Sequence, residues 1–258
     1  MAIEPGAPTL THLERLDLAL AARIVPLAAR LDTKAAPEAF PRIATAEPMR
    51  QRPAAVLVCG LLELRGLELS LADVQDVLSG RAGRFQSPHQ EAEFVLGLSR
   101  CLAMVSARAQ SGVPPDGAFA RELFQAFSHR IPRFRNNVLR RDMPWDGLLY
   151  LTYPPAADVA SLLASFDGAN CYRDVRARFS GLHPVRQSFR LLWRFARIAP
   201  FPDFNQLMAF LLMNTYLLVH GYPAVPPASG DRELLRRVIV GPPPTRLLEF
   251  EARLVDVI

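Results

Sequence analysis

The sequence predicts a mainly α-helical domain carrying a single β-hairpin flap. Three observations predict it. Apolar residues recur at helical spacing in segment after segment. Pro is frequent, at 23 of 258 residues, and clusters between those segments, at Pro114-Pro115, Pro154-Pro155, Pro226-Pro227 and Pro242-Pro243-Pro244, where it ends helices. The one stretch with a different pattern is 131–152, where aromatic residues alternate around an Asp146-Gly147 turn signal. Half the residues are hydrophobic and 21% are charged, so the chain can bury a sizeable core and is not globally disordered.

The elements follow in order. A first helix is expected over 11–30, after Thr9 or Thr11 as N-cap, and 32–53 reads as a Pro- and Ala-rich linker. Residues 54–65 form a helix that stops at Gly66. Ser70 followed by Asp73 has capping-box spacing and opens a short helix ending near Gly80. Helices are expected at 87–110 and 117–128, then the hairpin over 131–152, then helices at 156–167, 185–199, 205–220 and 230–238. The helix over 205–220 is apolar almost all round, as a central helix buried on every side would be. The helix before it carries Arg186, Arg190, Arg194 and Arg197 as a stripe, which predicts a solvated face. The domain plan is an N-terminal helical arm and linker at 1–53, a main domain at 54–238 and a C-terminal tail at 239–258 that could form one more helix.

Composition excludes several classes. Of the 30 cations only Lys34 is Lys, and the net charge is +5. That balance reads as a GC-rich bacterial coding sequence rather than a nucleic-acid-binding surface, so no nucleic-acid partner is expected. Cys59, Cys101 and Cys171 form no CxxC pair and lie in apolar segments, which predicts free buried thiols. The start of the chain has no basic-then-apolar leader, and its longest apolar run, Leu207 to Val219, is too short to span a bilayer. A cytoplasmic location away from membranes is expected. His12, His89 and His129 show no metal-ligand spacing, and His220 sits at a helix C-terminus that favours an imidazolium.

One stretch carries more. Phe195 and Ile198 precede Ala199-Pro200-Phe201-Pro202-Asp203-Phe204-Asn205-Gln206-Leu207-Met208-Ala209-Phe210, and Leu211 to Asn214 and His220-Gly221-Tyr222-Pro223 follow it. This resembles the core of the Fic (Fido) family, whose motif reads H-P-F-x-[D/E]-G-N-G-R-x-x-R between F-x-x-I and L-L-M-N. Pro132 to Arg135 resembles the start of that family's flap, Tyr153-Pro154-Pro155 its end, and Leu182-His183-Pro184 the start of the helix before the motif. The segment 60–71 resembles the part carrying the family's inhibitory helix. The resemblance runs in order from about residue 55 to about 225.

It implies a Fic-like helical domain with a flap, and a family chemistry of moving AMP from ATP to a protein hydroxyl with Mg2+. Position by position, the departures are large. The catalytic His falls on Ala199. Pro200, Phe201, Asp203 and Asn205 are motif remnants, and Asp203 stands at the metal-ligand position. Asp203 with Gln206 three residues on also spells a capping box. The two glycines that let backbone approach phosphate fall on Phe204 and Gln206, and the two phosphate-binding arginines on Leu207 and Phe210. The inhibitory Glu falls on Arg65. Loss of a general base alone costs roughly 10²–10⁴-fold in rate. The expectation is therefore a degenerate Fic-family protein without catalysis, working through protein binding at a flap that carries Arg133, Arg135, Trp145 and Tyr150. No cofactor is expected. The alternative is a protein adenylyltransferase with rewired residues, which would need ATP and Mg2+.

Overall fold

The computed structural model describes residues 51–81, 88–134, 138–166, 184–228, 230–240 and 252. The arm at 1–50, Arg135, Cys171, His183 and nearly all of the tail lie outside these residues. Eight α-helices are described: α1 (Gln51–Arg65), α2 (Leu71–Leu78), α3 (Pro88–Gln110), α4 (Gly117–Ser128), α5 (Ala156–Ala164), α6 (Pro184–Ile198), α7 (Asn205–Val219) and α8 (Asp231–Val240). Their bounds lie within a few residues of those the periodicity predicts.

Local chemistry sets several of the ends. Ser70 Oγ accepts a hydrogen bond from the Asp73 amide at 3.1 Å, which opens α2 as its capping spacing predicts. Asp116 Oδ1 accepts from the Phe119 amide at 2.7 Å and opens α4. At the end of α7 the chain reverses through Gly221 at φ +81°, and the Tyr222 amide donates to the Leu217 carbonyl at 2.9 Å. A left-handed residue is needed there, and glycine adopts it without steric cost.

α7 is the axis of the fold. Twelve of its residues are buried, from Asn205 through Leu217, and it packs against α6, α3, α1 and α4. An apolar helix of this kind has no face to offer water, so its neighbours must surround it. α8 packs on α1 and α6, and α5 on α4 and α6. α3 and α4 approach closely at Gly97, where an added Cβ would sit 2.5 Å from the Phe127 carbonyl oxygen. That approach brings Phe94 and Phe127 within 5.9 Å of each other, centroid to centroid.

Two expectations are corrected. Among the described residues of 131–155 there is no strand: a 3-10 turn at Pro132–Phe134 leads into irregular turns. The reason lies in where the backbone donors go. Pro132, Pro144, Pro154 and Pro155 have none. The Arg140 and Trp145 amides donate across the molecule to Pro200 O and Pro202 O, at 3.0 and 2.7 Å. The Leu148 amide donates to the Tyr153 hydroxyl at 3.0 Å. A ladder between two arms of a hairpin would need those same donors. The arginine stripe of α6 is not a solvated face either. Arg186 is buried, and Arg190, Arg194 and Arg197 are half-buried. Arg197 donates to the Ile239 carbonyl of α8 at 2.8 Å and lies over the Trp193 ring. α6 packs on α5, α7 and α8, and Arg197 serves the contact with α8.

No helix among the described residues is long and apolar enough to cross a membrane. Cys59 and Cys101 are free thiols. Burial raises both, Cys101 to about 12.

Candidate functional site

The loop 199–204 joins α6 to α7 and is short because Pro200 cannot continue α6. Two of its non-glycine residues have left-handed backbone, Ala199 at φ +43° and Phe204 at φ +61°. Such conformations are uncommon outside glycine and persist only where surrounding packing imposes them. At Phe204 the packing is visible. Its ring lies 5.1 Å from that of Phe94, 4.8 Å from Phe127 and 6.1 Å from Phe134, and the residue is 1% exposed. Phe201 is equally buried and stacks on Phe124 at 4.2 Å with the planes 7° apart.

Asp203 is fully buried, and three donors converge on it. Arg65 at the end of α1 is bidentate, with Nε 2.5 Å from Oδ1 and Nη2 3.2 Å from Oδ2. Arg133 from the 3-10 turn reaches Oδ2 with Nη2 at 3.2 Å. The Phe204 amide donates to Oδ1 at 2.8 Å. A buried carboxylate with hydrogen-bonded guanidinium partners is compensated for its lost hydration. Both arginines keep about a third of their side chains in water. The Arg133 guanidinium lies over Phe134 at 4.7 Å and Trp145 at 5.5 Å. Burial pushes its pKa down and Asp203 only partly opposes this, while the neighbouring Arg65 adds to the lowering. Sequence position places these three residues 138 and 70 apart, and nothing in the local pattern announces their meeting.

The capping-box expectation for Asp203 and Gln206 is not what opens α7. The cap position is Phe204, and it makes no side-chain cap. The cap comes instead from Asp146, whose Oδ2 accepts from the Asn205 amide at 2.5 Å and the Gln206 amide at 3.4 Å. Oδ1 accepts from Asn205 Nδ2 at 2.8 Å. Asn205 in turn bridges back to Phe201 through both ends of its amide, at 2.8 and 2.9 Å. Burial raises the Asp146 carboxyl to about 6 against the lowering effect of these donors, with Asp203 adding to the rise.

Arg140 is the second residue that sequence reasoning missed. Its guanidinium is buried and donates Nε to the Ala199 carbonyl at 2.7 Å, Nη1 to Asp142 O at 3.0 Å and Nη2 to Pro154 O at 2.6 Å. It thereby satisfies an open carbonyl just past α6 and ties two parts of the flap together. The only signal available for it was one arginine in a run of two. Asp146 did stand out, as half of a turn dipeptide.

The other predicted positions are filled by packing. Pro200 and Asn205 are buried, Leu207 is 1% exposed and Phe210 is fully buried in α7. Gln206 is half-buried, and its Oε1 has no hydrogen-bond partner. A cleft of about 480 Å3 is lined by Gln125, Ser128, His129, Arg130, Phe134 and Val138, and Phe134 also packs on Phe204. No group of three or more metal-ligating side chains occurs among the described residues. His220 does not follow the imidazolium expectation: burial against the Tyr216 ring, at 4.4 Å, lowers its pKa. Trp145 and Tyr150 face water, at 56% and 95% exposure.

Residues 118–217 match the family model described as Fic/DOC family. No curated protein matches the sequence. Among solved structures, a Fic domain containing signaling protein from Bacteroides thetaiotaomicron superposes with a TM-score of 0.64 at 19% identity, covering 91% of this chain and 93% of that one. Fic-1 from C. elegans gives 0.63 at 15% identity, covering 94% and 70%. A Fic family protein from Desulfovibrio desulfuricans G20 gives 0.53 at 18%, covering 97% and 74%. The segment 118–217 thus matches the Fic/DOC family model, and the described helices share the fold of these Fic domain structures. The matched residues span α4 to α7, and so include Arg133, the flap and the 199–204 loop.

Proposed function

We propose that this chain is a Fic-family protein whose nucleotide-transfer site is closed, and that it acts by binding another protein at the flap. One observation carries the reading. The acid at the family's metal-ligand position, Asp203, is fully buried under the guanidinium groups of Arg65 and Arg133. Divalent metals coordinate carboxylate oxygens directly, at 2.0–2.6 Å for Mg2+ and Ca2+. Arg65 Nε already stands 2.5 Å from one of these oxygens. In the family pattern a carboxylate stands at position 65, so here a cation with no titration near neutral pH takes over that site.

The surroundings point the same way. The glycine position next to Asp203 holds a phenyl ring packed among three others, where a phosphate cradle would need bare backbone. Leu207 and Phe210 replace the phosphate-binding arginines and are buried in the core. The position of the general base is a methyl group, on Ala199. The family's base position and phosphate-cradle positions are thus occupied by apolar side chains or Gln206, while the flap keeps exposed side chains fit for contact.

Isothermal titration of the full chain with ATP and Mg2+ tests this. The expected result is no heat of binding up to millimolar ATP. Micromolar binding would overturn the closed-site reading and revive the alternative, a rewired protein adenylyltransferase, for which transfer of labelled AMP to protein would be the direct measurement.

A further inference from the structure

The flap concentrates exposed apolar surface. Met143, Trp145, Leu149 and Tyr150 are 60%, 56%, 80% and 95% exposed, and they fall within eight residues of one another. Elsewhere among the described residues, only Val56 and Val113 are large hydrophobics classed as exposed. Apolar side chains gathered this way mark contact surfaces. Tyr150 is also held at φ +67°, a backbone state that a non-glycine residue leaves unless something imposes it.

The patch is rigidly backed. Its backbone is fixed to the 199–204 loop by the Arg140 and Trp145 amides, and Asp146 anchors it to the start of α7. A preformed surface loses less entropy on binding than a loose one.

Charge beside the patch is positive. The Trp145 ring rests against the Arg133 guanidinium. Arg133 shares one carboxylate with Arg65, so two cations meet one anion at Asp203. The second nearby carboxylate, Asp146, is committed to the amides of α7. Arg141 is exposed on the same segment, with Asp142 beside it as the one exposed acid there. Arg133 is thus desolvated more than it is paired, and a further carboxylate would find a guanidinium edge next to an aromatic face.

We propose that the flap recognises a peptide segment of a partner protein in which an aspartate or glutamate stands within two residues of an aromatic or large aliphatic side chain. The acid pairs with Arg133 and the apolar side chain covers Trp145 and Met143. The inference rests on the flap-binding reading above and adds the chemistry of the partner.

The test pans a phage-displayed library of random 12-residue peptides against the full chain and measures the best synthetic peptide by fluorescence anisotropy. Enrichment of an acid within two positions of an apolar residue is expected. The triple variant Met143→Ser, Trp145→Ser, Leu149→Ser is expected to abolish binding. Arg133→Gln is expected to weaken it about tenfold. Because Arg133→Gln also disturbs Asp203, the peptide is remade with its acid as the amide. That peptide should bind the wild-type chain about tenfold more weakly and lose nothing further against Arg133→Gln. Peptides that need the flap but show no acid preference, or independent effects of the two changes, would overturn the acidic chemistry and leave the flap reading intact. Failure to select any peptide that the triple variant stops binding would overturn both.

Discussion

Replacing Arg65 with methionine keeps much of the aliphatic stem and removes the guanidinium. The perturbation leaves the Asp203 carboxylate fully buried with only Arg133 and the Phe204 amide as donors. Breaking a buried ion pair by deleting one partner costs about 3–5 kcal/mol, because the other charge stays behind without hydration. Two features here reduce that figure. Arg65 keeps 32% of its side chain in solvent, and Arg133 still offers a positive charge 3.2 Å away. A loss of about 2–3 kcal/mol is expected. The reciprocal change, Asp203→Asn, should cost less, about 1–2 kcal/mol. It strands two guanidinium groups that are each a third exposed and can turn to water, and the amide oxygen can still accept from Arg65 or Phe204. The double variant should cost at least about 1 kcal/mol less than the two singles together, since each single already removes the shared bond. Urea unfolding at pH 7 with linear extrapolation measures all three. If Asp203→Asn proved the more damaging change, or if the two costs added within about 0.5 kcal/mol, the buried acid would not be the element that needs the pair, and the central reasoning about the site would fail.

Two further outcomes concern the 199–204 loop and the carboxylate that caps the helix after it. Phe204→Gly relieves a left-handed backbone strain of about 1–3 kcal/mol but deletes a fully packed phenyl ring, a loss of about 3–5 kcal/mol; the net effect should be destabilisation by about 2 kcal/mol, and a higher melting temperature would refute it. Asp146 titrates near 6 in the fold against an ordinary 3.8, so the native state binds more protons than the unfolded chain between about pH 4 and 6. Its contribution to stability therefore falls as pH rises through that window, and is constant above it. At about 1.4 kcal/mol for each tenfold in proton affinity, wild-type stability relative to Asp146→Asn should drop by at most about 3 kcal/mol from pH 4 to pH 7; a pH-independent difference in urea midpoints would contradict the burial assigned to this carboxyl.

Most of the helices were legible because their signals are local. Ser70 with Asp73, the proline after α6 and Gly221 after α7 each act on backbone groups within four residues. The hairpin expected in the flap is not seen among the described residues, for the opposite reason. Asp146-Gly147 has the chemistry of a hairpin turn, yet the Asp146 carboxylate is used 59 residues away as the cap of α7. Asp203 was misread in the complementary way. Its spacing to Gln206 spells a cap, but a buried carboxylate beside two arginines gains more from them than from an amide. Arg140 gave no signal at all, because its partners are carbonyl oxygens, which every residue has.

What the sequence by itself determined is the set of helices, the apolar axis at α7 and the substitutions at positions 199 to 210, since periodicity, capping and residue identity are all read along the chain. What only the tertiary structure decided is the pairing of Arg65 with Asp203, the capping of α7 by Asp146 and the stapling of the flap by Arg140. Each of these joins side chains far apart in sequence, and whether a charge meets its partner or water depends on burial, which the packing of the helices sets.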